Sequence, residues 1–134
     1  MAQLRDVMTP DVLTTSGERP FAEVTKLMVQ ARVGSAVVMQ GPWLIGILTE
    51  RDVLRAAASG SDLTTSPVSA WMTRDPTTAA PDMASDEALD VMLNHGFRHL
   101  PVVEGRELMG IVSIREVVAS RIRRRSKPSP RPEC

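Results

Sequence analysis

Tyrosine is missing from this chain of 134 residues, and two tryptophans with two phenylalanines make up its whole aromatic complement. So small a set leaves little to stack nucleobases, which argues against the platforms that bind single-stranded nucleic acid. Cysteine occurs once, at the last position, Cys134. That excludes a disulfide framework and a zinc site of several thiolates, and it fits a reducing cytosol. Net charge is lacking as well. Sixteen basic and sixteen acidic residues cancel, so no overall field draws the protein to nucleic acid or membrane. No apolar run approaches the roughly 20 residues that span a bilayer, and the opening "MAQLRDVMTPDV" has no signal-peptide pattern. A soluble, cytoplasmic protein without a membrane span is expected. What the chain does have is 43% hydrophobic residues, enough to fill one compact domain or two very small ones.

It also has a repeat. "GILTERDV" (residues 46–53) returns as "GIVSIREV" (residues 110–117), a shift of 64 positions. The same shift carries Met8-Thr9 to Met72-Thr73, Asp11 to Asp75, Glu23 to Glu87, Met28 to Met92, Val38 to Val102 and Gly41 to Gly105. No gap is needed, so the chain is a duplicated unit.

Each copy reads alike. A short β-like stretch ("DVLTTS", "DPTTAA") precedes a helix, whose face is Phe21, Val24, Leu27 and Met28 in one copy and Ser85, Ala88, Val91 and Met92 in the other. Two strands follow ("SAVVM" and "LIGIL"; "LPVVE" and "LMGIV") across turns at Gly41 and Gly105, then a last helix. The fold class expected is α+β: two βαββα repeats related by a pseudo-twofold axis, packed sheet to sheet around a crevice with two equivalent sites. The boundaries are 1–64, 65–120 and a basic tail at 121–134. Into that tail "REVVASRIRRR" (residues 115–125) continues a helix, whereas "SKPSPRP" is expected not to pack.

The repeated phrase has two physical readings. Thr49 with Asp52, and Ser113 with Glu116, are each a hydroxyl followed three residues later by an acid, the spacing of a capping box. The same place suits a ligand. A helix N-terminus offers free N–H groups to a phosphate, Arg51 can neutralise its charge, and an acid one turn in can accept from a ribose diol. Phosphate and diol together describe a nucleotide.

"VMTPDV", "GILTERDVL", "RHLPVV" and "GIVSIREV", spread over nearly all of the chain except the tail, also carry a resemblance. The double unit resembles a tandem pair of cystathionine β-synthase (CBS) domains, a Bateman module of the stand-alone bacterial type. This resemblance implies a regulatory module for adenosine-containing ligands: AMP, ADP or ATP, with S-adenosylmethionine or NAD as further possibilities. It implies a main site in which Thr49 touches phosphate, Asp52 holds the ribose diol and Ile47 walls the base. Thr77, Thr78 and Phe97 would come from the other repeat, with Phe97 by the adenine and Arg98 at the phosphate. A second site would use Ile111, Ser113 and Glu116 with Val12, Val33 and Gly34. Glu116 departs from the family pattern by one methylene, which pushes its carboxylate into the space of a ribose. One competent site, around Asp52, is therefore expected, and a second that is weak or empty. The resemblance further implies a homodimer, a flat disc of four units, head-to-head or head-to-tail. No cofactor is required, and no effector partner is named by the sequence.

Other residues add little chemistry. His95 and His99 stand four apart, but Gly96 interrupts the helix between them and no thiolate is near, so no metal site is expected. The methionines recur at repeat-equivalent positions, as core filler does. No nucleophile with a base at recognisable spacing and no phosphate-binding glycine loop occurs, so no enzyme is expected. A ligand-free dimeric scaffold and nucleic-acid contact through the basic tail remain the competing readings, the latter the less favoured.

Overall fold

A computed structural model describes residues 2–126. In the first repeat the turn at Gly41 folds β2 (Ser35–Gln40) against β3 (Trp43–Thr49), with Val37 opposite Ile47 and an irregularity after Val38. The second repeat reproduces this hairpin with β5 (His99–Glu104) and β6 (Glu107–Ser113), with Pro101 opposite Ile111 and the irregularity after Val102. Identical slips 64 residues apart show that the duplication extends to backbone detail.

Helices frame each hairpin: α2 (Phe21–Ala31) and α3 (Glu50–Ser59) in the first repeat, α4 (Ser85–His95) and α5 (Ile114–Ser126) in the second. The expected helical faces are inward at Phe21, Val24 and Met28, and at Ser85, Ala88 and Met92. α2 and α4 end at equivalent left-handed positions, Arg32 (φ 57°) and Gly96 (φ 75°). The glycine adopts that conformation without the steric penalty borne by the arginine. α5 carries the first part of the basic segment in helical form as far as Ser126, and the rest of that segment lies outside the described residues.

The early β-like stretches differ between copies. β1 (Thr14–Ser16) runs parallel to β2, pairing Thr15 with Val38. Its counterpart has shrunk to a single bridge between Ala79 and Val102. Three elements did not show in the sequence pattern: a one-turn helix α1 (Leu4–Val7), the 3₁₀ turn Val68–Ala70 at the equivalent place, and a two-residue strand at Thr73–Arg74.

These small elements cross over. Leu4, fully buried, belongs to the core of the second repeat with Met92, Leu100 and Val112. Val68 and Met72 belong to the core of the first, with Phe21, Val38 and Leu48. The backbone follows: the Leu4 N–H donates to the Met83 carbonyl at 2.9 Å, and the Val68 N–H to the Arg19 carbonyl at 2.9 Å. The short β4 (Thr73–Arg74) pairs with β3, while Thr9 and Ile111 exchange hydrogen bonds at 2.8 and 3.0 Å.

The glycine of the repeated phrase permits this crossing. A Cβ on Gly46 would lie 2.9 Å from the Thr73 carbonyl oxygen, and one on Gly110 would lie 2.8 Å from that of Thr9. The recurring Met-Thr pair and the recurring glycine are thus partners, each from the opposite repeat.

Both faces of each hairpin are covered. Successive residues on a strand point to opposite faces, yet Ala36, Val37 and Val38 are all buried, as are Leu100, Pro101 and Val102. Helices cover one face, and the sheets of the two repeats cover each other. At the rim the Arg106 guanidinium stacks 4.3 Å over the Trp43 ring, tying the two hairpin ends together. No helix among the described residues is long and apolar enough to cross a membrane.

Candidate functional site

A groove of about 1590 Å³ opens on the helical side, lined by parts of α2, α3, α4 and α5 and by the segments that lead into the hairpins. The N-terminal turns of α3 and α5 both reach it. Each turn is anchored the same way: the Glu50 N–H donates to the Gly34 carbonyl at 3.2 Å, and the Ile114 N–H to the Arg98 carbonyl at 3.0 Å.

The groove gathers Val12, Val33, Gly34, Ile111, Ser113 and Glu116, all six residues expected at the second site. From the expected main site it gathers Arg51, Phe97 and Arg98. Ile47 is buried within the sheet, and Thr77 is exposed. Thr78 lines a separate cavity of about 270 Å³ with Trp43, Asp75 and Arg106.

At the start of α3 the capping box forms. The Asp52 carboxylate accepts from the Thr49 N–H at 2.9 Å and from the Thr49 hydroxyl at 3.2 Å, both on Oδ2. Its Oδ1 accepts from the Arg55 guanidinium at 2.9 Å. Asp52 is buried, with its side chain 3% exposed, whereas that of Arg55 is 58% exposed. The acid of the first phrase is closed off by its own cap and by an arginine one turn on.

At the start of α5 the box is reciprocal: the Ser113 N–H donates to Glu116 at 3.0 Å and the Glu116 N–H donates to the Ser113 hydroxyl at 3.1 Å. The extra methylene takes the other carboxylate oxygen further, where the Thr9 hydroxyl donates to it at 2.7 Å. Glu116 thus serves as a cap and as a tie to the opposite repeat.

Charge in the groove is mixed. Arg32, Arg51, Arg98 and Arg115 line it, together with Asp11, Glu50 and Glu116. His99 stands between them. Burial holds its pKa below the ordinary 6.5, Glu50 and Glu116 pull it back up, and Arg98 pushes it down again. The Glu50 carboxylate lies directly over Gly34, and a Cβ there would also be 3.2 Å from His99 Nε2. A side chain at position 34 would therefore collide with both. His95 instead stacks on Phe97, with centroids 5.4 Å apart and rings 18° from parallel, so the two histidines serve different neighbours.

Sequence reasoning missed Thr9, Glu50 and Arg55 as parts of this region. Arg55 had a signal in its i+3 spacing from Asp52. Thr9 had one in the recurring Met-Thr pair.

Comparison with known proteins agrees with this architecture. The model of the family described as CBS domain matches residues 4–59 and again 68–122. The chain belongs to the CBS-domain family. The CBS domain-containing protein YhcV of Bacillus subtilis is 35% identical to this CBS pair over 130 residues, covering 96% of this chain and 92% of that one. Two solved structures share the fold. The CBS domain pair of protein MJ0100, in complex with 5-methylthioadenosine and S-adenosyl-L-methionine, superposes with a TM-score of 0.82 at 23% identity, over 94% of this chain and 98% of that one. CBSX2 in complex with AMP gives a TM-score of 0.80 at 24% identity, over 90% of this chain and 97% of that one.

Proposed function

We propose that this CBS pair is a regulatory module that binds an adenosine-containing ligand, with the phosphate or other anionic end at the helix starts. The observation that carries the reading is the convergence of two helix N-termini on one groove beside Arg51, Arg98 and Arg115. Free N–H groups and guanidinium donors suit a phosphate. The adenosyl ligands held by the MJ0100 pair and by CBSX2 support the ligand class.

Asp52 stays in the reading as the ribose acceptor, although Arg55 now holds Oδ1. A pair with so exposed an arginine contributes only about 0–1 kcal/mol, so a diol can displace it at small cost. The bond from the Thr49 N–H can remain, because each carboxylate oxygen has a second lone pair. Glu116 has committed both oxygens to neighbours, which supports a second site that is weak for ribose.

Titration calorimetry with AMP, ADP, ATP, S-adenosylmethionine and NAD tests this. At least one ligand is expected to bind below millimolar, with loss of tenfold or more in Asp52→Ala and Arg98→Ala. Absence of heat with all five leaves the ligand-free scaffold, a reading that the two fully formed capping boxes favour. No catalytic step is assigned, and a cytoplasmic location belongs to the same proposal.

The module is further proposed to act as a homodimer. On the helical side Val29, Leu54 and Leu93 are 77%, 72% and 62% exposed, a cost in water that a partner surface removes. Ligand binding would alter regulation by preferring one packing of that dimer over another. Light scattering with and without nucleotide reads both the mass and the change.

A further inference from the structure

The smaller cavity, of about 270 Å³, lies at the hairpin ends and shares no lining residue with the groove. Both repeats build it: Trp43 and Leu44 come from the first, Asp75, Thr78, Val103 and Arg106 from the second. Pockets for drug-sized ligands and cofactors run from about 300 to 1,000 Å³, so this one suits a ligand smaller than a nucleotide. It carries one charge of each sign. Among the described residues, no ion pair joins the Asp75 carboxylate to the Arg106 guanidinium, and neither charge is paired elsewhere. Two opposite charges thus face one small cavity and stand apart.

The repeat separates what this cavity inherits from what it has acquired. Leu44, Asp75 and Thr78 have the counterparts Leu108, Asp11 and Thr14, whereas Trp43 answers to Glu107 and Arg106 to Pro42. The aromatic wall and the cation therefore occur once, and they meet in the stack of Arg106 over Trp43. Trp43 nevertheless stays 46% exposed, a large apolar surface that a ligand can cover. Asp75 is distinctive in its backbone, with φ at 47°, a left-handed conformation that Asp11 does not share. Aspartate enters that region more readily than most residues. Its N–H donates to the Ile45 carbonyl at 3.2 Å, which fastens it to β3 beside the cavity.

From these features we infer that the cavity binds a free α-amino acid with an apolar side chain. The α-ammonium meets the Asp75 carboxylate and the α-carboxylate meets the Arg106 guanidinium, a charge-assisted contact at each end. Stacking on Trp43 uses the face of the guanidinium, and its N–H donors lie in its plane, where a carboxylate can take two of them. The apolar side chain lies against Trp43, Leu44 and Val103. A simple anion would answer Arg106 and leave Asp75 unmatched, and a simple cation would do the reverse. Only a zwitterion serves both. The site is independent of the nucleotide groove, and its ligand bridges the two repeats.

Titration calorimetry of the full chain with leucine, methionine and phenylalanine at millimolar concentration tests the site, with the melting temperature as a second readout. At least one of the three is expected to bind, one equivalent per chain. N-acetylation or amidation of that amino acid removes one of its charges and should weaken binding about tenfold or more. Asp75→Asn and Arg106→Gln should weaken it as much. Both positions are exposed, and asparagine tolerates the left-handed conformation, so the unliganded variants should melt close to the parent. Neither heat nor a rise in melting temperature with any of the three overturns the proposal. Binding that both variants retain in full overturns this cavity as its place. Equal binding of the acetylated or amidated forms overturns the zwitterion as the ligand class.

Discussion

The Thr9 hydroxyl lies 2.7 Å from the Glu116 carboxylate, a bond between residues 107 positions apart in the chain. It joins the leading segment of one repeat to the last helix of the other, and it depends on the methylene that distinguishes Glu116 from Asp52. A partly buried hydrogen bond to a charged group is worth about 1.5–3 kcal/mol. Thr9→Val keeps the shape and removes the donor. It should lower the unfolding free energy by about that amount, read as a shift of the urea midpoint at unchanged slope.

Glu116→Asp separates the two jobs of the side chain. The shorter acid still reaches the Ser113 N–H, as Asp52 reaches that of Thr49, but it falls short of Thr9. The expected result is a loss of about 1.5–3 kcal/mol in stability, together with a second equivalent of nucleotide in calorimetry if the glutamate is what obstructs ribose.

Gly46→Ala and Gly110→Ala each push a methyl group against a backbone carbonyl oxygen at 2.9 or 2.8 Å and against a methionine sulfur. The sulfur can swing aside and the carbonyl cannot. Overpacking of this kind costs about 1–3 kcal/mol, and both variants should melt well below the parent. Equal melting would show that the crossing segments yield freely.

Arg55→Ala frees the Asp52 carboxylate without touching the cap. Stability should change by less than about 1 kcal/mol, since the arginine is largely exposed, while affinity for a diol-bearing ligand rises. Asp52→Ala removes the cap as well, costs about 1 kcal/mol, and lowers that affinity. A similar fall in affinity for both variants would count against Asp52 as the ribose acceptor.

His99 gives the protein a pH response. Burial holds the folded pKa below 6.5, so the unfolded chain takes up the proton first as pH falls. The associated stability is therefore complete above about 6.5 and declines as pH drops toward the lowered folded value, below which the decline stops. Glu50 and Glu116 narrow that window, and Arg98 widens it. Denaturant midpoints at pH 7.5 and 5.5 should differ more for the parent than for His99→Gln.

Much of this was legible because the duplication doubled every signal. Two hairpins with the same turn glycine, two amphipathic helices and two hydroxyl–acid pairs agree with one another, and the structure builds each of them. The crossing of Leu4 and Val68 into opposite cores was not legible, for a physical reason. A perfect 64-residue register is satisfied equally well by packing onto one's own copy or onto the other, so pattern alone carries no information about which occurs. The Glu50–His99 neighbourhood escaped for the opposite reason. Its repeat equivalents are Ile114 and Ser35, so it has no echo for a repeat-based reading to find.

The fate of the Asp52 carboxylate lay between these cases. Spacing predicted both a capping box and a ribose acceptor, and the cap is formed. The arginine that closes the other oxygen is a side-chain rotamer, a choice that helical spacing permits but does not dictate.

The exchange of Leu4 for Val68 makes the two halves a mutual clasp. Expressed singly, each repeat would keep most of its interior but expose the pocket its missing sibling plugs. Severed between Ser61 and Ser66, the chain should still travel as one particle, and its fragments should part only when both melt.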